Sequence, residues 1–190
     1  HELSSKNSEL LYEDDKVLVR TIPLQHRVYT NGFLFQEKEG ERRLNMDAIA
    51  QYPEIEVCDY QNIKNGKDII LENGKTIANT ELTFEPHRPQ SYAYCSDTVY
   101  LEDLATEIRG TRVIYHESTF LKINEELAAK TMHATAYQAG LVAKNAQAEA
   151  LILGHYSSRY PDVNMFKQEA QEVFKNVFLA EDGKKFVFEN

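Results

Sequence analysis

Residues 150–160 read ALILGHYSSRY. Leu151, Ile152 and Leu153 form a short apolar run with the look of a buried strand. Gly154 follows, and the chain then delivers His155, Ser157, Ser158 and Arg159 in close succession. Gly154 removes a side chain either where something approaches closely or simply where the chain turns. An imidazole, two hydroxyls and a guanidinium at the end of an apolar strand are an unusual set.

The surrounding pattern places that strand in an alternating array. Upstream, SYAYCSD (91–97) and RVIYHES (112–118) are strand-like. YLEDLATEI (100–108) and the alanine-rich HATAYQAGLVAKNAQAE (133–149) are helix-like. Downstream, NMFKQEAQEVFKN (164–176) is an amphipathic helix, with Met165, Phe166, Ala170, Val173 and Phe174 near helical spacing. Val177–Ala180 and Lys185–Phe188 are expected as short strands around the turn Asp182-Gly183. Strand-helix-strand alternation implies βαβ units with right-handed crossovers, so this half is α/β.

The first 40 residues are β-rich, with strands expected at Leu10–Tyr12, Val17–Ile22 and Gly32–Gln36. Between the two regions the character changes. A short helix is expected over Leu44–Ala50, and DIILENGKTIAN (68–79) reads as a hairpin with Asn73-Gly74 as a two-residue turn. Residues 42–89 are therefore expected to be an inserted arm.

Composition narrows the functional classes. The chain has 190 residues, 42% hydrophobic, enough for one sizeable core. No apolar run approaches the length needed to span a bilayer, and the first residues lack the features of a secretory signal. Two distant cysteines, Cys58 and Cys95, suit free thiols in a reducing cytoplasm. The net charge of −9 argues against a protein that coats nucleic acid with its whole surface, although a local patch or metal site reverses the local field. There is no phosphate-binding glycine loop, no C-x-x-C pair and no G-x-S-x-G elbow.

Three strands of the α/β half end on polar residues: SYAYC at Asp97, RVIY at His116-Glu117, and LIL at His155. In open α/β sheets ligands bind beyond the carboxyl ends of strands. Asp and imidazole are suitable ligands for zinc or a similar divalent ion. Each residue alone also has a structural explanation. Asp97 suits a cap for the helix over 100–108, His133 a cap for the alanine-rich helix, and His155 a satisfied buried histidine. His26, after the apolar TIPLQ, is equally ambiguous, His87 reads as loop, and His1 carries no signal.

The segments PLQHRVYTNGFLFQEK (23–38), SYAYCSDT (91–98), VIYHESTF (113–120) and MHATAYQAGLVAKNAQAEALILGHYSSRY (132–160) resemble, in order, the motifs of the ribonuclease Z family. These are tRNA 3′-processing endonucleases of the metallo-β-lactamase superfamily. The resemblance runs from about Leu11 to Tyr160. It implies an α/β fold, an αββα metallo-β-lactamase-like sandwich of which residues 1–190 form the C-terminal half, with the arm at 42–89 inserted. It also implies a zinc-dependent endoribonuclease that hydrolyses precursor tRNA and leaves a 3′-hydroxyl on the tRNA. A cytoplasmic homodimer with no membrane partner is the implied setting.

By position, His26, Asp97 and His155 resemble metal ligands, Asp97 being the one that bridges two zinc ions in an intact enzyme. His133 resembles the residue that protonates the leaving oxygen, oriented by Glu117. Ser157, Ser158 and Arg159 resemble groups that contact the substrate phosphate, and Lys64 and Lys67 of the arm resemble RNA contacts. His116 is expected to be structural.

Two departures stand out. The family's His-x-His-x-Asp-His string is absent, which implies that a missing N-terminal half supplies the remaining ligands. Zinc occupancy here is then partial or nil, and the fragment alone is inactive. The arm reads YPEIEVCDYQNIKNGKD (52–68), acidic and without the family's glycine-proline element. The alternatives are a catalytically silent folding, dimerisation or RNA-docking module, and a related metal-dependent phosphodiesterase or other hydrolase.

Overall fold

The computed structural model describes residues 7–188, which divide into two compact units, one of them Lys38–Pro89 and the other the flanking parts of the chain. His1 lies outside the described residues.

The larger unit is built on one seven-stranded sheet. Its strands are β1 (Leu10–Glu13), β2 (Val17–Pro23), β3 (Asn31–Glu37), β4 (Ser91–Cys95), β5 (Val113–Glu117), β6 (Ala150–Gly154) and β7 (Val177–Leu179), and they lie in the sheet in chain order. The first four pair antiparallel and the last four pair parallel. Because β2 and β4 are each antiparallel to β3, they run the same way. The carboxyl ends of β2, β4, β5 and β6 therefore share one edge of the sheet. That topology positions the site.

The helices α1 (Leu104–Glu107), α2 (Glu125–Thr131), α3 (Ala136–Asn145) and α4 (Asn164–Gln171) belong to the same unit. Side chains alternate across the sheet with period two. Ala93, Cys95, Ile114, Leu151 and Leu153 face the core that holds Ala139, Val142 and Phe166 of the helices. Gly140 makes that packing close, since a Cβ there would meet Val173 at 2.8 Å and the Ala170 carbonyl at 2.9 Å. The opposite face carries Tyr92, Val113, Tyr115, Ile152 and Phe178. Phe186 and Phe188 pack edge-on against Phe178, with centroids 5.9 and 5.7 Å away. A groove of about 760 Å³ opens on that face between Val17, Phe35, Val113, Ile152 and Phe188.

The local structure corrects several expectations. Lys185–Phe188 is irregular rather than a strand; its two phenylalanines are held by ring packing and not by a ladder. The helix expected at 100–108 shrinks to Leu104–Glu107, and Asp97 does not cap it. Nor does His133 start the alanine-rich helix. Thr135 is its cap, accepting from Gln138 N while Gln138 reaches back to the Thr135 N–H.

The Lys38–Pro89 unit has its own core of Ile49, Ile55, Ile63, Leu71, Ile77 and Leu82. Short strands pair Arg43–Leu44 with Thr83–Phe84 and Ile69–Ile70 with Thr76–Ile77. The latter hairpin closes with a Leu71 N–H to Lys75 carbonyl bond of 2.9 Å. Its loop is therefore three residues, with Gly74 at φ +82, rather than the two-residue Asn73-Gly74 turn. Among the described residues no helix is long and apolar enough to cross a membrane.

Candidate metal and acid–base site

Each strand of the shared edge ends by presenting one group. His26 lies three residues beyond β2, Asp97 two beyond β4, Glu117 at the last position of β5, and His155 directly after β6. Asp97 and His155 adopt left-handed backbone, at φ 56 and 59. That region is costly for a residue with a Cβ, and such outliers gather where a side chain must be aimed. Met132, at φ 61, turns the chain into His133 in the same way. Gly154 is required by contact and not by its own φ: a Cβ there would land on the Tyr115 ring and hydroxyl. Tyr115 stacks on Tyr94 at 4.9 Å, and burial, then Tyr94, Glu117 and Asp97, push its phenol up to about 12.

Ligand atoms of Asp97, Glu117, His133 and His155 all lie within 4.8 Å of one another. Glu117 is fully buried and saturated. Oε1 accepts from Thr98 N (2.8 Å) and His133 Nδ1 (2.8 Å). Oε2 accepts from Thr119 N (3.3 Å), Thr119 Oγ1 (2.6 Å) and Ala134 N (3.2 Å). Five donors leave this carboxylate little capacity for a metal, so it organises the site. His133 donates through Nδ1 and keeps Nε2 available. Its ring centre lies 4.7 Å from that of His26 and 5.2 Å from that of His155.

Asp97 and His155 are the solvent-facing pair, with side chains 44% and 43% exposed. Asp97 Oδ1 and His155 Nε2 are 3.1 Å apart, yet Oδ1 has no partner in hydrogen-bond geometry. The distance marks an ion pair only when the imidazole is protonated. For a neutral ring with its hydrogen on Nδ1 it is two lone pairs converging on one point. A carboxylate and an imidazole so placed fit a zinc-type divalent ion, and they are too few to complete its shell. His26 stands at the margin of this group. Its Nδ1 is 2.8 Å from the Met132 carbonyl, which leaves Nε2 as the ring nitrogen not engaged by that bond. Gln25 N bonds Thr98 Oγ1 (3.2 Å) and Val99 N bonds the Gln25 carbonyl (2.8 Å), tying the His26 loop to the Asp97 loop.

The remaining candidates are placed as follows. Ser157 N donates to the Thr119 carbonyl (3.1 Å), and Ser158 is exposed. The Arg159 guanidinium is exposed and lies 5.7 Å from the Phe120 ring centre. Lys64 and Lys67 lie in the other unit, Lys64 at 3.7 Å from Glu41 and Lys67 donating to Asn62 Oδ1 at 3.0 Å. His116 is fully buried with Nδ1 2.7 Å from the Glu117 carbonyl and Nε2 without a partner among the described residues. Burial pulls its pKa down. Thr98 and Thr119 have parts that no sequence pattern assigned them. The one available signal for Thr119 was a hydroxyl two residues after the glutamate.

The chain is 41% identical over 183 residues to Ribonuclease Z of Phocaeicola vulgatus, covering 96% of this chain and 59% of that protein. It is 42% identical over 185 residues to Ribonuclease Z of Cytophaga hutchinsonii, covering 97% and 58%. The chain is homologous to ribonuclease Z. It spans somewhat under two thirds of the length of the ribonuclease Z proteins it matches. No protein-family model matches it. The fold is that of part of metallo-β-lactamase fold proteins. The metallo-β-lactamase fold protein YhfI of Bacillus subtilis superposes with a TM-score of 0.60 at 15% identity, over 95% of this chain and 52% of YhfI. The short form of human tRNase Z gives 0.55 at 21% identity, over 93% of this chain and 45% of that one.

Proposed function

We propose that this chain is the C-terminal part of a zinc-dependent endoribonuclease that cuts precursor tRNA at its 3′ end. The observation that carries the reading is the convergence of Asp97, Glu117, His133 and His155 within 4.8 Å, in a chain homologous to ribonuclease Z. Asp97, His155 and His26 would hold the metal. A divalent ion held there would supply Lewis acidity at the scissile phosphate.

The chain's own groups do the rest. Glu117 fixes His133 by its Nδ1, so that Nε2, protonated in the imidazolium form, is the atom that hands a proton to the departing 3′ oxygen as water adds to phosphorus and the P–O3′ bond breaks, leaving a 3′-hydroxyl on the tRNA. Arg159, with Ser157 and Ser158, holds the phosphate oxygens through charge-assisted hydrogen bonds. Lys64 and Lys67 contact RNA from the Lys38–Pro89 unit, which serves as the substrate-binding arm. The further ligands come from the part of the relatives' length that this chain does not span, and that part also covers the apolar sheet face beside Phe35 and Ile152. Alone, the chain is idle. In the cell the intact protein is a cytoplasmic homodimer.

The test is cleavage of a precursor tRNA by the longer gene product that contains this chain, with its metal content measured alongside. Cleavage leaving a 3′-hydroxyl and lost in Asp97→Ala supports the reading. An inactive long product, or stoichiometric zinc with cleavage by the present chain alone, contradicts it.

A further inference from the structure

Glu117 reaches a second histidine. Thr119 Oγ1 lies 2.6 Å from Glu117 Oε2 and 2.8 Å from His155 Nδ1. The hydroxyl has one hydrogen to give, and two neighbours within reach of it. Oε2 already faces the backbone N–H groups of Thr119 and Ala134, at 3.3 and 3.2 Å. A proton placed on Oε2 would point among donors, so this oxygen is an acceptor and takes the hydroxyl hydrogen. Thr119 Oγ1 then offers His155 only lone pairs. For the 2.8 Å contact to be a hydrogen bond, His155 Nδ1 must carry the hydrogen.

We propose that Thr119 is a positioning residue that locks His155 in its Nδ1–H form and aims the Nε2 lone pair at the space shared with Asp97. Glu117 thus orients both histidines of the edge, His133 directly and His155 through one hydroxyl. The consequence is visible at Asp97. Its Oδ1 and His155 Nε2 stand 3.1 Å apart with no hydrogen bond, as two acceptors converging on one point do. A threonine suits the task because its β-branched side chain has few rotamers, and Thr119 is almost fully buried. The same site reading underlies this inference, but the tautomer is a property of the chain without metal or RNA.

The test is long-range proton–nitrogen NMR of histidine-labelled chain at a pH where imidazole is neutral, with His155 assigned from His155→Gln. His155 is expected in the Nδ1–H form. Thr119→Val is expected to shift it toward the Nε2–H form that free imidazole side chains favour in water, and Thr119→Ser to restore it. His133 keeps its Nδ1–H signature in all three proteins, which separates loss of the relay from general loosening. An Nε2–H tautomer in the unaltered chain overturns the proposal with no variant needed. So does a His155 signal unmoved by Thr119→Val. A failed tRNA assay with the expected tautomers would instead remove the endonuclease reading and leave the relay standing.

Discussion

The two units both bury polar groups, and they use them to opposite ends. In the Lys38–Pro89 unit, Asn79 is buried and its Nδ2 bonds the carbonyls of Ile63 (2.6 Å) and Lys67 (3.1 Å). Thr83 Oγ1 bonds the Asn79 carbonyl at 2.8 Å. All of these bonds end on the unit's own chain and close a loop. In the sheet unit, Glu117 is buried too, but the histidines linked to it, His133 directly and His155 through Thr119, have side chains 16% and 43% exposed. The backbone tells the same story. Positive φ in the smaller unit falls on Gly66 and Gly74, where turns need it. In the sheet unit it falls at turns on Gly110, Gln147 and Gly183, and beyond those on Asp97, Met132 and His155, where a side chain needs aiming. Burial of a polar group does not mark a site. A buried polar group whose partners face solvent does.

The cysteines give the largest expected contrast. Cys58 is exposed in the smaller unit, while Cys95 is buried in the sheet with its thiol pushed up to about 12 by burial. One thiol should react with an aromatic disulfide reagent in the native chain and two after denaturation, the second protected by on the order of 10³-fold or more, as expected if exposure needs unfolding. Equal reactivity would mean that the sheet core opens readily. Next is Glu117→Ala, which strands several buried donors at once and should cost roughly 3–5 kcal/mol in denaturant unfolding. Leu82→Ala, in the smaller core, should cost about 2–5 kcal/mol through the cavity it leaves, with amide protection lost within residues 38–89. The smallest effect is expected for Asp97→Asn, below about 0.5 kcal/mol, because Oδ1 has no partner to lose and asparagine tolerates the left-handed backbone. A large loss there would make Asp97 a structural residue and erase the contrast.

Much of this contrast was legible in the residues. Apolar runs that stop at Asp97, Glu117 and His155 declare strand ends, and the alternation with helices makes their directions agree. What topology adds is β2. Its direction follows from two antiparallel pairings, so the return of His26 to the same edge cannot be read from its own neighbours. Thr98 and Thr119 stayed hidden because a hydroxyl's partner is set in space: Thr98 Oγ1 meets Gln25 N across 73 positions, and Thr119 meets His155 across 36. The Lys185–Phe188 stretch misled because its aromatics look strand-like, whereas they satisfy themselves by packing on Phe178. In the hairpin, Asn73-Gly74 marked the turn correctly but not its length, which the Leu71–Lys75 bond decides.

Metal affinity is expected at the sheet edge and not in the acidic surface at large. It is tested by adding substoichiometric Mn²⁺ to the isotope-labelled chain and reading which amide signals broaden, a measurement that registers weak binding. Broadening is expected to centre on Asp97, Thr98, Thr119 and His155 and to be abolished in an Asp97→Asn, His155→Gln double variant. Broadening centred on Glu54, Glu56 and Asp59 of the smaller unit, or surviving in the double variant, would contradict it.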